Sequence, residues 1–294
     1  MEYSKKSVTS KDGTTIGFRQ FGRGPAVVIL HGGALASQHY MKLGTALADE
    51  FTVCIPDRRG RGMSGPYGPD YSINREDEDL AAVVAETGAR CVFGTADGGL
   101  FALHGSMSIP AVRKVAVFEP VVFVGQPGLE EFKQTISRGE ALMASGDIAG
   151  AMSSLATDAG KDPRTQDVSA AYRLLGGLAT QPWACRLALW LDAVAARGDK
   201  VPLRDLVPAL IPELQQVRAT EGTIEDYRRV TAECLLMCGR GAPTLFTGTA
   251  DALQRVLPQS TRVELPGCNH GAAQDQGGNP AAIAEQLRLF FSDK

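Results

Sequence analysis

The sequence contains no apolar run of about 18 residues, so no helix spanning a bilayer is expected. It contains no basic block either. Its 30 Lys and Arg face 33 Asp and Glu for a net charge of -3. Nucleic acid and an anionic membrane are therefore not expected as partners. No apolar segment follows Met1-Glu2-Tyr3-Ser4-Lys5-Lys6, so no signal peptide is expected and the chain reads as cytoplasmic. The six cysteines are scattered through apolar runs and are read as reduced core thiols. Cys234 and Cys238 lack further ligands nearby, so no metal is expected, and no cofactor. Histidine is scarce too. Only His31, His39, His104 and His270 are available as bases.

What is present is ordinary for a globular chain: 294 residues, 44% hydrophobic and 21% charged. Residues 7–21 read as a hairpin turning at Asp12-Gly13. Continuous apolar runs at 26–30, 51–56, 91–94 and 112–118 fit strands buried on both faces of a parallel sheet. Helices are expected over 40–48 and 77–87, the second stopped by Gly88. From 121 to 240 the pattern turns helical, over 129–145, 148–156, 168–175, 183–196, 203–218 and 224–237. Thr223 and Asp226 suggest a capping-box start for the last of these. Strands are expected to resume at 244–247 and 262–265. A helix with Pro280 in its first turn closes the chain. The alternation predicts an α/β fold with a mostly parallel sheet. Residues 1–120 and 241–294 form the core domain, and 121–240 an all-helical cap.

The segment Gly94-Thr95-Ala96-Asp97-Gly98 ends one strand run and opens an apolar helix. It has the layout of a nucleophile elbow, G-x-S-x-G, in which the glycines admit a turn too tight for flanking side chains. The position for the attacking side chain holds Ala96, which has nothing to attack with.

With His31-Gly32-Gly33, Asp57-Arg58-Arg59-Gly60-Arg61-Gly62-Met63-Ser64, Gly248-Thr249-Ala250-Asp251 and Leu265-Pro266-Gly267-Cys268-Asn269-His270, the chain resembles the α/β-hydrolase family along nearly its whole length. The resemblance implies ester hydrolysis by a Ser, acid, His triad in that chain order. It implies His270 as the base and the backbone amides of Gly33 and Asp97 as the oxyanion hole. The acid stays open between two residues. Asp251 has the commoner family position. Glu119, in Phe118-Glu119-Pro120, is favoured, because the fungal macrolactone hydrolases that open zearalenone are similar there. His31 is expected to be structural, and His39 and His104 to be bystanders. Asp97 as nucleophile, after the pattern of haloalkane dehalogenases, is disfavoured because it stands one residue out of register.

The cap offers Phe123, Met143, Met152, Tyr172, Trp183, Trp190 and Met237 as pocket residues, and Gly32 is a further candidate substrate contact. Their apolar balance implies a small hydrophobic ester or lactone. A homodimer is left open. Ala96 has two explanations. The favoured one is an inactivating Ser-to-Ala replacement, because the rest of the apparatus is intact. The other is a natural member that binds ligand, or acts as a cyclase, without hydrolysis.

Overall fold

The computed structural model describes residues 2–159 and 181–292. Eight strands form one sheet in the order β1-β2-β4-β3-β5-β6-β7-β8. They are β1 (Ser4–Thr9), β2 (Thr15–Gly22), β3 (Ala26–Leu30), β4 (Thr52–Pro56), β5 (Cys91–Thr95), β6 (Lys114–Phe118), β7 (Glu233–Gly239) and β8 (Ser260–Leu265). β2 runs antiparallel to β1 and β4, and β3 to β8 are parallel. The hairpin turns at Asp12-Gly13, where Gly13 has φ 88° and Asp12 Oδ1 accepts the Thr14 amide at 3.0 Å.

The central strands alternate between two cores. Val28, Leu30, Val92 and Leu236 pack with α2 (Ile73–Thr87) and α3 (Ala96–Ser106) on one face. Val27, Ile29, Phe93 and Met237 pack with α1 (Met41–Leu47) and the last helix, Pro280–Phe291, on the other. Strands covered on both faces need no polar side, which explains their continuous apolar runs. Gly88 ends α2 at φ 68°, as expected from its position. Asn279 caps the last helix, accepting the Ala282 amide. All six cysteines are buried and unbridged. No described helix is long and apolar enough to cross a membrane.

Between β6 and β7 the chain is helical: α4 (Leu129–Ala144), α5 (Ile148–Ala159), α6 (Pro182–Ala195), α7 (Leu203–Leu206) and α8 (Leu210–Ala219). The helix expected over 168–175, with Tyr172, lies outside the described residues. Two clamps tie this insertion to the sheet side. Gln38 exchanges bonds with both backbone groups of Val201. Asp199 receives the Tyr3 hydroxyl and the Arg19 guanidinium.

Four expectations need correction. The helix expected over 224–237 is a short 3-10 stretch, Ile224–Arg229, followed by strand β7. Cys234 to Cys238 form a continuous apolar run, at most 4% exposed, and that run fills the sheet slot beside β6. The insertion therefore ends before 233, not at 240. With that slot taken, 244–247 is no strand but the first turn of α9 (Thr244–Val256), entered through Pro243. Thr249, Ala250, Leu253 and Val256 form its buried stripe at helical spacing. The capping box at Thr223 is not made, as its side chain caps no amide.

The strand-to-helix turn fixes the site, and its glycines have no spare room. A Cβ on Gly94 would stand 2.3 Å from the Gly98 carbonyl oxygen, and one on Gly98 2.4 Å from that of His31. Backbone cannot yield as a side-chain tip can. Gly98→Ala is expected to cost about 1–3 kcal/mol by overpacking. The midpoint of urea unfolding checks this, and an unchanged midpoint would contradict the packing described.

Candidate active site

Thr95 ends β5 in extended geometry, and Ala96 opens α3 at φ 51°. A non-glycine residue held there signals strain of about 1–3 kcal/mol that the surroundings must impose. Only two other described non-glycine residues share a positive φ, Ala34 at 55° and Glu119 at 46°. Ala96 and Glu119 belong to segments singled out by motif, and Ala34 directly follows His31-Gly32-Gly33. The Val121 amide donates to the Ala96 carbonyl at 3.1 Å, tying the elbow to the chain leaving β6. Gly32 lies against the elbow, since a Cβ there would come 3.3 Å from the Ala96 Cβ. Tyr40 steadies this corner. Its hydroxyl accepts the Gly32 amide and contacts Thr95 Oγ1 at 2.6 Å.

Glu119 follows β6 and is 1% exposed. Its Oε2 lies 2.7 Å from His270 Nδ1. A carboxylate can only accept, so Nδ1 carries the hydrogen and Nε2 is left as the basic nitrogen. Oε1 accepts the Gly239 amide at 3.0 Å. Gly239 ends β7, where a Cβ would stand 2.0 Å from the Cys268 carbonyl oxygen. Phe246 of α9 stacks on the His270 ring, with centroids 4.4 Å apart.

Asp251 has no part in this arrangement. It sits mid-helix on α9 and pairs with Arg262 near the surface. The residue at the end of the penultimate strand, where Asp251 was expected, is Gly239, and it supplies an amide to Glu119 rather than a carboxylate to His270.

His31 is fully buried. Its Nε2 accepts the Arg58 amide at 3.0 Å, and Nδ1 faces the Gly32 carbonyl at 2.9 Å. Burial, then the charges of Arg61 and Arg58, push its pKa well below the ordinary histidine value, so it is a neutral structural group. His39 bonds the Ala36 carbonyl, and His104 pairs with Asp77.

The amide of Gly33 donates to Asp97 Oδ1 at 2.5 Å. Oδ2 accepts Arg58 Nη1 at 2.9 Å. Arg58 also grips Glu76 with two nitrogens, at 3.0 and 3.2 Å. It reaches Glu213 of α8 at 3.1 Å and lies over the Phe101 ring. Arg61 and Glu213 form a further pair, and Tyr71 donates to Glu76 at 2.7 Å. Arg58, Glu76 and Glu213 were not singled out from the sequence. Arg58 stood inside a quoted motif, but nothing marked its partners on distant helices. Glu213 ties the insertion to the elbow, and Leu210 closes over Gly33, where a Cβ would stand 2.3 Å from its Cδ1.

The expected pocket aromatics part company. Phe123 is fully buried in the core. Trp183 and Trp190, 59% and 60% exposed on α6, line no enclosed site in the described structure. Met237 is core in β7. Among the described residues, no cluster of His, Cys, Asp or Glu could hold a metal.

A tight strand-turn-helix elbow after β5, with a histidine held by the carboxylate that follows the neighbouring strand β6, is the arrangement of a hydrolase-type α/β protein. Residues 27–286 match the alpha/beta hydrolase family, and the chain belongs to it. Over 264 residues it is 25% identical to the 2-(acetamidomethylene)succinate hydrolase of Mesorhizobium japonicum, covering 87% of this chain and 85% of that one. Over 96 residues it is 38% identical to the pimeloyl-(acyl-carrier protein) methyl ester esterase of Stenotrophomonas maltophilia; that match covers 33% of this chain and 36% of the esterase. Among solved structures, an alpha/beta hydrolase from Sphaerobacter thermophilus superposes with TM-score 0.71 at 28% identity, over 98% of this chain and all of that one.

The buried ion network carries a pH signature. Burial alone would raise the Glu76 pKa, but the Arg58 charge and its hydrogen bonds outweigh that and hold it below 4.5. The resulting stability is complete above the unfolded value and is lost as pH falls from about 4.5 through the folded value. Glu76→Gln should cost about 3 kcal/mol near neutral pH, as one partner of a buried pair is removed. It should also flatten the acid limb of a plot of urea midpoint against pH. Parallel acid limbs for the two proteins would refute this assignment.

Proposed function

We propose that this chain carries the site of a serine-type carboxylic ester or lactone hydrolase with Ala96 in the nucleophile's place. The observation that carries the reading is the 2.7 Å contact between Glu119 and His270, combined with the strained elbow at Ala96. In such a site a hydroxyl on residue 96 attacks the acyl carbon while His270 Nε2 takes its proton. Glu119 holds the ring in that tautomer and offsets the charge that develops on it. The amides of Gly33 and Asp97 are the donors for the oxyanion. His270 then returns the proton to the leaving alkoxide, and water repeats the sequence on the acyl-enzyme. The Ala96 methyl can form no such bond, so the chain as it stands makes no acyl-enzyme.

Leu210 against Gly33 and the Phe246 ring on His270 give apolar surface beside these groups and favour a small hydrophobic ester or lactone. Phe123, Trp183 and Trp190 drop out as direct ligands of the acyl group. The insertion between β6 and β7 serves as the cap, and no cofactor takes part. A second reading has its own support. The Asp97 carboxylate already occupies the Gly33 amide, which favours a member that binds ligand without hydrolysing it over one merely inactivated by a Ser-to-Ala exchange.

Ala96→Ser is expected to become a slow esterase that reacts covalently with a fluorophosphonate probe. In that background His270→Ala or Glu119→Gln should lower kcat by about 10²–10⁴-fold, while Asp251→Asn should leave it unchanged. Hydrolysis of p-nitrophenyl esters and mass spectrometry of the labelled protein provide the check. An Ala96→Ser protein that neither turns over nor labels would sink the hydrolase reading.

A further inference from the structure

Asp97 follows the elbow residue and is 2% exposed. Its two oxygens have separate partners, the Gly33 amide and the Arg58 guanidinium. A backbone amide has one hydrogen to give. At Gly33 that hydrogen is committed to a carboxylate, a stronger acceptor than a neutral ester carbonyl. A tetrahedral intermediate placed here would lose one of its two donors. It would also bring its negative charge up to a fixed one, in a site where water screens little.

The contact is supported from several sides. Asp97 lies in the first turn of α3, where the helix dipole favours an anion. Arg58 cannot swing away, being gripped by Glu76 and Glu213 and packed over Phe101. Gly33 lets the loop approach closely, as a Cβ there would lie 3.3 Å from Asp97 Oδ1.

We propose that the Asp97 carboxylate is a built-in occupant of the oxyanion site, so that the elbow is disabled twice, at Ala96 and at Gly33. The inference rests on the hydrolase reading above, and it assigns Asp97 as a positioning residue that holds the Gly33 amide away from substrate. Restoring a serine alone then leaves most of the rate unrealised. Removing the carboxylate as well releases the donor. Arg58 and Arg61 now face Asp97, Glu76 and Glu213. Without Asp97, two guanidinium groups face two carboxylates, so the network goes from one carboxylate in excess to balance.

The experiment compares Ala96→Ser alone, with Asp97→Asn and with Asp97→Ala. It measures kcat and KM on p-nitrophenyl butyrate, inhibition by phenylboronic acid, fluorophosphonate labelling and thermal unfolding. Asp97→Ala should raise kcat by about 100-fold over Ala96→Ser, the effect of one oxyanion donor, with KM little changed. Boronate inhibition should tighten in step, since its tetrahedral adduct carries the same negative charge. Asp97→Asn should fall between, because its amide oxygen still accepts from Gly33 while the charge is gone. A labelled, active Ala96→Ser enzyme that gains nothing from either Asp97 change overturns the inference and leaves the hydrolase reading standing. If Asp97→Ala does not fold, the Asn variant decides by the same criterion. Absence of labelling and turnover in all three overturns the hydrolase reading and this inference with it.

Discussion

The sharp reversal between Thr95 and Ala96 is the constraint on which the rest of this structure depends. The backbone leaves β5 extended and enters α3 through φ 51° at a residue with a side chain. Such a conformation persists only when neighbours over-determine it. Here they do so by close approach. Gly94 and Gly98 let the helix start against the backbone of His31, and Gly32 brings the next loop against the Ala96 methyl. The turn would normally hold a nucleophile proud of the sheet. It persists here although the side chain is a methyl group. Ala34 and Glu119, the other strained residues with side chains among those described, flank the same site, so the local cost is concentrated where chemistry would occur.

Around this turn the protein has buried an unusual amount of charge. Arg58 is desolvated completely, which by itself would favour losing its proton. The opposing charges of Glu76 and Asp97 reverse that and hold its pKa well above the ordinary arginine value. The network joins the loop after β4, the start of α2, the elbow and α8 of the insertion. A buried ion pair contributes little net stability over an apolar substitute, but breaking one half is expensive. The network is best understood as a device that fixes where the insertion sits over the elbow, with Glu213 as the attachment.

Much of the sheet could be read from continuous apolar runs, because strands covered on both faces leave a signal that needs no partner information. The same signal misled at 233–239, where the approach through Thr223, Ile224 and Asp226 gave the apolar run a helical context. That error propagated. With β7 unrecognised, 244–247 stood in for it, and Asp251 inherited the position of the acid. The elbow, His270 and Glu119 were legible because their spacing is set by short turns. Arg58, Glu76, Glu213 and Gly239 were not, because each acquires its role only when segments distant in sequence meet. No local pattern distinguishes a buried Glu213 from a solvent-facing one.

The survival of the Glu119–His270 contact beside Ala96 does not require that the chain hydrolyse anything. Glu119 has a second task, accepting the amide at the end of β7, where a buried donor left unpaired costs about 1–3 kcal/mol. His270 is similarly held by the Phe246 ring. Both can therefore be retained for packing in a chain that carries out no acylation. Asp97 is different in kind. A serine hydrolase gains nothing from a carboxylate on its own oxyanion donor, whereas a site that no longer builds up negative charge can tolerate one and use it to anchor Arg58. On the proposed reading, a residue 96 without a hydroxyl leaves no reason to keep the Gly33 amide free, and the Asp97 bond is the arrangement consistent with that.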